Sequence, residues 1–508
     1  MKPEYIVYGL YLLVGLFAIG QAIRGGRRHF GRSLLNLIAT IASATISAVI
    51  LHTVVSGLDE SMTNQLVSAL ASREETKSLA NGLQSLKTSL PDVYELLIGL
   101  PVSLVAPLVF VILYWLIGTP MWILYIVLAA LLFPRRPRDE YSPLSKLLGA
   151  LLGAANGLAV AFIYILPLAG YLTISGGVMD TLAPAFEGNA TFTQVQNAYD
   201  EYKEPIENHP VVDVVWSCGE DLFDYITVVS YDYQDNTYKV SLQTESVLYA
   251  QIITDAKPLF RVPVKDYTTT QTDAIKRIAS DIESSNSLKI VISGLLSGAC
   301  HAWDEGEPFL SVVQPPVSSD ATVQSLLDSA IDTLKNTTPE TVGNDLCAVA
   351  DMIGVMVEHD IFNVINTPDG LMNMLSDEDF ISDFMGAIEQ SETLRTFMVD
   401  ATKVGVQTVM KEKINQDDYN QAVNTLTTEA ATVLNDLAQY DTKEAQVEAM
   451  TDMVEDVMEQ YNVTQGKAIL PYVAEFVIDE FADQLTTGEV TAEDVANYFG
   501  LLQTEPVS

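Results

Sequence analysis

The 508 residues combine 48% hydrophobic side chains with a formal charge of −39, and the two properties sit in different parts of the chain. Residues 1–174 carry 12 Lys+Arg and 9 Asp+Glu, whereas residues 175–508 carry 15 and 57. The acidic remainder has no basic patch of the kind phosphate binding needs, which argues against a nucleic-acid partner. Its three cysteines, Cys218, Cys300 and Cys347, match no zinc or CxxC spacing.

A bilayer core needs about 20 apolar residues per helix. Four charge-free runs meet that length, with spans expected at about 5–23, 33–55, 97–133 and 147–174. The first follows Lys2 and has small residues near its end, as a leader peptide would. The block Arg24, Arg27, Arg28, Arg32 and a second apolar run follow at once, so the pattern fits an uncleaved anchor better. In the second span, Ala39, Ser43 and Ser47 recur every four residues and predict close helix packing.

Leu79, Leu83, Leu86 and Leu90 share one helix face in the link that follows, which suggests a surface helix. The third run is 39 residues long and reads as one helix kinked at Pro101, Pro107 and Pro120, with a re-entrant hairpin as the alternative. The fourth span carries Gly149, Gly153 and Gly157, a flat face that another backbone can approach and through which copies can associate. Asn36, Thr40 and Asn156 are the intramembrane polar groups. They are either a polar path or, more commonly in such helices, interhelical glue. No Asp, Glu, Lys or Arg lies in a span core, which counts against an ion-coupled carrier.

Two short links are basic: 24–32, with its four arginines, and 134–146, with Arg135, Arg136, Arg138 and Lys146. The positive-inside rule places both in the cytoplasm. With four spans, both termini and the acidic region are then extracytoplasmic.

Residues 175–508 read as mainly helical, in two subdomains, 175–316 and 317–508, divided at Pro315-Pro316. Helix starts are signalled at Thr338-Pro339, at Ser376 with Asp379, and at Thr491 with Asp494; Gly500 supplies a stop. Tyr231–Val247, with Asp235-Asn236 as the turn, suggests a short β-hairpin. The expected fold class is therefore all-α: a four-span transmembrane bundle followed by a mainly helical acidic soluble region.

Chemical signals in this region are thin. Glu358-His359-Asp360 lacks the second histidine of a zincin, and His301 with Asp304 and Glu305 reads as a solvated loop. No EF-hand loop or GxSxG serine is present. Met352, Met356, Met372, Met374 and Met385 suit a core better than a binding face. Asn189-Ala190-Thr191 and Asn462-Val463-Thr464 match glycosylation sequons. No catalytic residue, metal or cofactor is expected.

The Arg/Gly-rich turn Arg24-Gly25-Gly26-Arg27-Arg28-His29-Phe30-Gly31-Arg32 between two apolar helices, and the run Pro143-Leu144-Ser145-Lys146-Leu147-Leu148-Gly149 continuing to Gly157, resemble the colicin V production protein family (CvpA). The resemblance covers about residues 1–175. It implies a multi-pass protein of the bacterial cytoplasmic membrane, linked to bacteriocin production and envelope maintenance, with no catalytic residues to carry over. Some relatives add an extracytoplasmic serine protease, whose signature is missing here. Three functions stay open: a non-enzymatic envelope scaffold bound to lipid and to itself or another envelope protein; a channel or export component; and a hydrolase using His209, His301 or His359.

Overall fold

A computed structural model describes residues 3–28, 30–56, 84–133, 141–207, 219, 221–233, 236–260, 262–310, 312–319, 321–364, 374, 377–413, 419–460, 467–487 and 489–501. The chain forms two compact units, Met1–Lys257 with Ser285–Ser287, and Pro258–Ser284 with Leu288–Ser508.

The first unit is built on four long helices: α1 (Pro3–Gly26), α2 (Phe30–Ser56), α3 (Pro91–Leu132) and α4 (Pro143–Leu182). All four are long and apolar enough to cross a membrane. The third apolar run is a single helix, α3, that carries Pro101, Pro107 and Pro120 within it. Its 42 residues and the 40 of α4 make rods of about 60 Å, twice the ~30 Å hydrocarbon core. Each therefore has a part outside the bilayer. The expected domain border at 174/175 falls inside α4.

α1 lies along α4, and α2 lies along both α3 and α4. The glycine spacing explains the first contact. A Cβ on Gly149, Gly153 or Gly157 would collide with the backbone carbonyl of Gly25, Gln21 or Phe17. The flat face expected to associate with another copy is thus taken up by α1 of the same chain, because only hydrogen at those positions admits its backbone. Ser43 and Ser47 are buried, and their hydroxyls donate to the carbonyls of Ala39 and Ser43 (2.7 and 2.6 Å). This satisfies them within α2.

The basic turn sits against one end of this bundle. Arg32 Nε donates to Phe133 O (2.7 Å), the Phe30 amide to Ser145 Oγ (3.3 Å), and Arg28 Nη1 to the Tyr125 hydroxyl (2.9 Å). Lys146 lies in the first turn of α4. Arg135, Arg136 and Arg138 lie outside the described residues.

The opposite end carries a cap: α5 (Ala190–Glu207), the antiparallel strands β1 (Val229–Tyr233) and β2 (Asn236–Val240), and α6 (Leu242–Ala256). Ala48, Leu51, Phe110, Ile163 and Leu166 of the long helices share one apolar core with Val229 and Leu242 of the cap and with Phe223 and Ile226 in the helical stretch just before β1. Thr254 donates to Thr181 O (2.8 Å) and Lys257 Nζ to Pro184 O (3.1 Å), tying α6 to the end of α4. The hairpin ends at Val240, earlier than expected, because Ser241 caps α6 by accepting from the Thr244 amide. Buried Glu245 on α6 accepts from Ser285 Oγ, from Ser287 Oγ (2.5 Å) and from the Ser287 amide (3.3 Å).

The second unit is mainly helical, with an isolated β-bridge between Phe309 and Val313. It comprises α7 (Thr269–Ser284), α8 (Asn286–Asp304, from Leu288 on), α9 (Ala321–Leu334), α10 (Pro339–Glu358), α11 (Glu378–Ile388), α12 (Glu392–Lys413), α13 (Tyr419–Leu437), α14 (Lys443–Gln460), α15 (Leu470–Glu480) and α16 (Ala492–Tyr498), with shorter turns between them. The expected subdomain boundary at 316/317 lies in the link between α8 and α9. α10 starts at a capping box formed by Thr338 and Thr341, and α16 at one formed by Thr491 and Asp494. Gly500 adopts φ +59° and closes α16, with the Leu501 amide donating to Ala496 O (2.8 Å). The cap of α11 is Asp377, which accepts from the Phe380 amide; Ser376 lies outside the described residues.

One core of this unit gathers Leu434, Leu437, Val477, Phe481 and Leu485. A second gathers Ile361, Phe380, Met385, Ile388 and Phe476, with Met352, Met356 and Met374 packed against it. Those methionines fill a core; Met372 lies outside the described residues, as do Leu79 and Leu83 of the expected surface helix.

Candidate functional site

In the basic half of the membrane bundle a cavity of ≈ 460 Å³ opens among all four long helices. The three intramembrane polar residues meet there. Thr40 Oγ1, on α2, donates to Asn156 Oδ1, on α4, at 2.7 Å, and Asn36 lies one turn before Thr40 on the same face. Asn156 is 2% exposed, so this bond satisfies an amide group that hydrocarbon could not. Glue and lining are here the same residues.

Ala39 and Ser43, expected from sequence as packing residues, and Arg24 and Arg28, expected to set topology, also line it; Gln21 and the α3 aromatics were not singled out. Gln21 and Arg24 of α1, and Arg28 just beyond it, face the cavity from one side; Tyr114, Trp115 and Trp122 of α3 face it from the other. Arg24 and Arg28 thus line a cavity as well as belonging to the basic turn. The signal for them was the spacing Gln21-Arg24-Arg28, one side of a helix and its continuation.

Two bridges tie α3 to α4 and to the basic turn beside the cavity. Trp115 Nε1 donates to the Tyr164 hydroxyl (2.6 Å), and Arg28 Nη1 donates to the Tyr125 hydroxyl (2.9 Å). Ten residues of α3, about 15 Å of helix, separate them. At the rim Trp115 is 68% and Trp122 57% exposed. Among the described residues no Asp or Glu lines the cavity, and their formal charge there comes from arginine.

The acidic region brings together less. His359 caps α10, stacks edge-on against Phe380, and lies 3.4 Å from Asp383 and 3.8 Å from Asp377. It is therefore packed and hydrogen-bonded to Asp383, where an exposed helix end was expected. His301 lies in the last turn of α8, and His209 lies outside the described residues. Among the described residues no three His, Cys, Asp or Glu gather as a metal ion requires. Cys300 is buried and Cys347 half-buried, each a free thiol; Cys218 lies outside the described residues.

Buried Asp345 on α10 accepts from Ser391 Oγ (2.6 Å) at the start of α12. Burial raises its pKa above the ordinary carboxylate value despite that bond. These geometries are structural locks.

The four spans and their polar interior define a multi-pass membrane protein with a helical region beyond them. No family model matches the chain, and no curated protein or solved structure matches it.

Proposed function

We propose that this is a protein of the bacterial cytoplasmic membrane, similar to the colicin V production type. It acts without catalysis as an envelope scaffold, its bundle anchoring the acidic helical region on the extracytoplasmic side. What supports this most is the placing of charge on the first unit. The Arg24–Arg32 turn and the start of α4 share one end of the bundle, and the chain continues toward the acidic region from the other. The positive-inside rule turns that asymmetry into an orientation.

The scaffold's partner is another envelope protein, since the glycine face of α4 is already covered by α1. Alkaline phosphatase and a fluorescent protein, fused in turn after Gly188, test the orientation. An active phosphatase with a dark fluorescent fusion supports it; the reverse pattern overturns it. Crosslinking the native protein tests the scaffold role, which fails if no specific partner is captured.

The polar cavity favours a second reading, a channel or export component. Under it, Asn36→Leu and Asn156→Leu abolish a transport phenotype; intact transport in both removes it.

A further inference from the structure

The cavity in the bundle has the chemistry of an anion receptor set into a membrane surface. Arg24 and Arg28 both line it, and among the described residues no carboxylate does. Arg28 is half-buried and Arg24 more exposed; a guanidinium held partly out of water without a counter-charge is costly, and the cost falls when an anion joins it. The planar fork of arginine matches two phosphate oxygens at once. Arg28 spends one donor on the Tyr125 hydroxyl and keeps the remainder of its five. The amides of Gln21 and Asn36 extend the polar lining.

Size and access point to the same ligand. A volume of ≈ 460 Å³ lies in the range of small-molecule pockets. The rim is formed by exposed Trp115 and Trp122, and the neighbouring α3 surface by exposed Ile112, Leu116 and Ile123. Trp122, less than one turn from Tyr125, suits the headgroup–acyl boundary of a bilayer, and Trp115, about 10 Å further along α3, faces the acyl chains with those aliphatic side chains. The arginines lie at the basic end of the bundle, at the level of lipid phosphates.

We propose that this cavity binds the phosphate-bearing headgroup of an anionic phospholipid, held by Arg24 and Arg28 and entering past Trp115 and Trp122. A soluble phosphate compound shares that chemistry, but the lipid-facing mouth favours the lipid. The assignment needs a membrane-spanning bundle and neither its orientation nor its family, so the topology fusions can fail without touching it.

The test uses the full chain in phosphatidylcholine nanodiscs, with tryptophan fluorescence read as brominated lipid is added. Brominated phosphatidylglycerol should quench several-fold more than brominated phosphatidylcholine at equal mole fraction. Arg24→Gln should weaken that preference about tenfold. Arg27→Gln, an equal charge loss at an exposed residue outside the lining, should leave it unchanged. Gly118→Leu narrows the cavity at a position where a Cβ meets nothing within 4 Å, and should also lose the preference while keeping the parent's thermal unfolding.

Inorganic phosphate in nanodiscs without anionic lipid forms the second arm. A saturable fluorescence change that Arg24→Gln removes, with no phosphatidylglycerol preference, assigns the same arginines to a soluble phosphate compound. Equal quenching by both lipids with no phosphate response overturns the proposal. So does an Arg27→Gln loss as large as that of Arg24→Gln, which would mark general surface attraction.

Discussion

At the scale of single residues, two titrating groups in the acidic region report their surroundings. Asp345 holds its proton to higher pH in the folded chain than in the unfolded one, because burial disfavours its charge. Its contribution to stability is therefore full below the ordinary carboxylate pKa and is lost as pH rises through the raised value. Asp345→Asn should stabilise the protein at neutral pH by on the order of 1 kcal/mol and leave it little changed below the ordinary carboxylate pKa, so the variant's melting temperature falls further on acidification than the parent's. A profile identical to that of the parent would show the carboxyl to be solvated.

Cys347 is pushed up to about 11 by burial and by Glu283 beside it. In a Cys218→Ser, Cys300→Ser background its alkylation at pH 8 should be roughly a hundredfold slower than that of a free thiol. Glu283→Gln should recover part of that rate. Both effects lay beyond sequence reading, since Glu283 and Cys347 stand on different helices, α7 and α10.

At the scale of elements, packing decides more than propensity. Gly153 lets α1 and α4 touch backbone to backbone, so Gly153→Leu should cost about 1–3 kcal/mol in detergent-induced unfolding. Gly118→Leu, in open space, should cost nothing. Equal effects of the two would mean that the α1–α4 contact does not hold the bundle together. Glu245 gathers the Ser285 and Ser287 donors, and Glu245→Ala should destabilise the first unit by about 2–3 kcal/mol, read by thermal unfolding. Local capping was legible: Thr338 before Pro339, Thr491 with Asp494, and Gly500 act where the sequence places them, while the Thr341 half of the first capping box was not read. The end of β2 was not, because Ser241 reads equally well as a strand residue and as a helix cap.

At the scale of the whole molecule, α3 and α4 extend beyond any bilayer core, and the cap covers what they leave exposed. A fragment of residues 1–287 should retain cooperative unfolding in detergent. A fragment ending at 174 strips the cover from Phe110, Ile163 and Leu166 and should aggregate. Equal behaviour of the two fragments would make the cap dispensable. The spans, the single long third helix, the acidic helical region and the hairpin were all determined by sequence alone. Hydropathy, proline spacing and capping are local properties, and each is written within a few turns of chain. Tertiary structure alone decided what covers the glycine face, where the compact units part, and that Arg24 and Arg28 line a cavity with Asn36, Thr40 and Asn156. Each of these depends on which helix lies beside which. No local pattern encodes that choice, because it follows from fitting four long surfaces together at once.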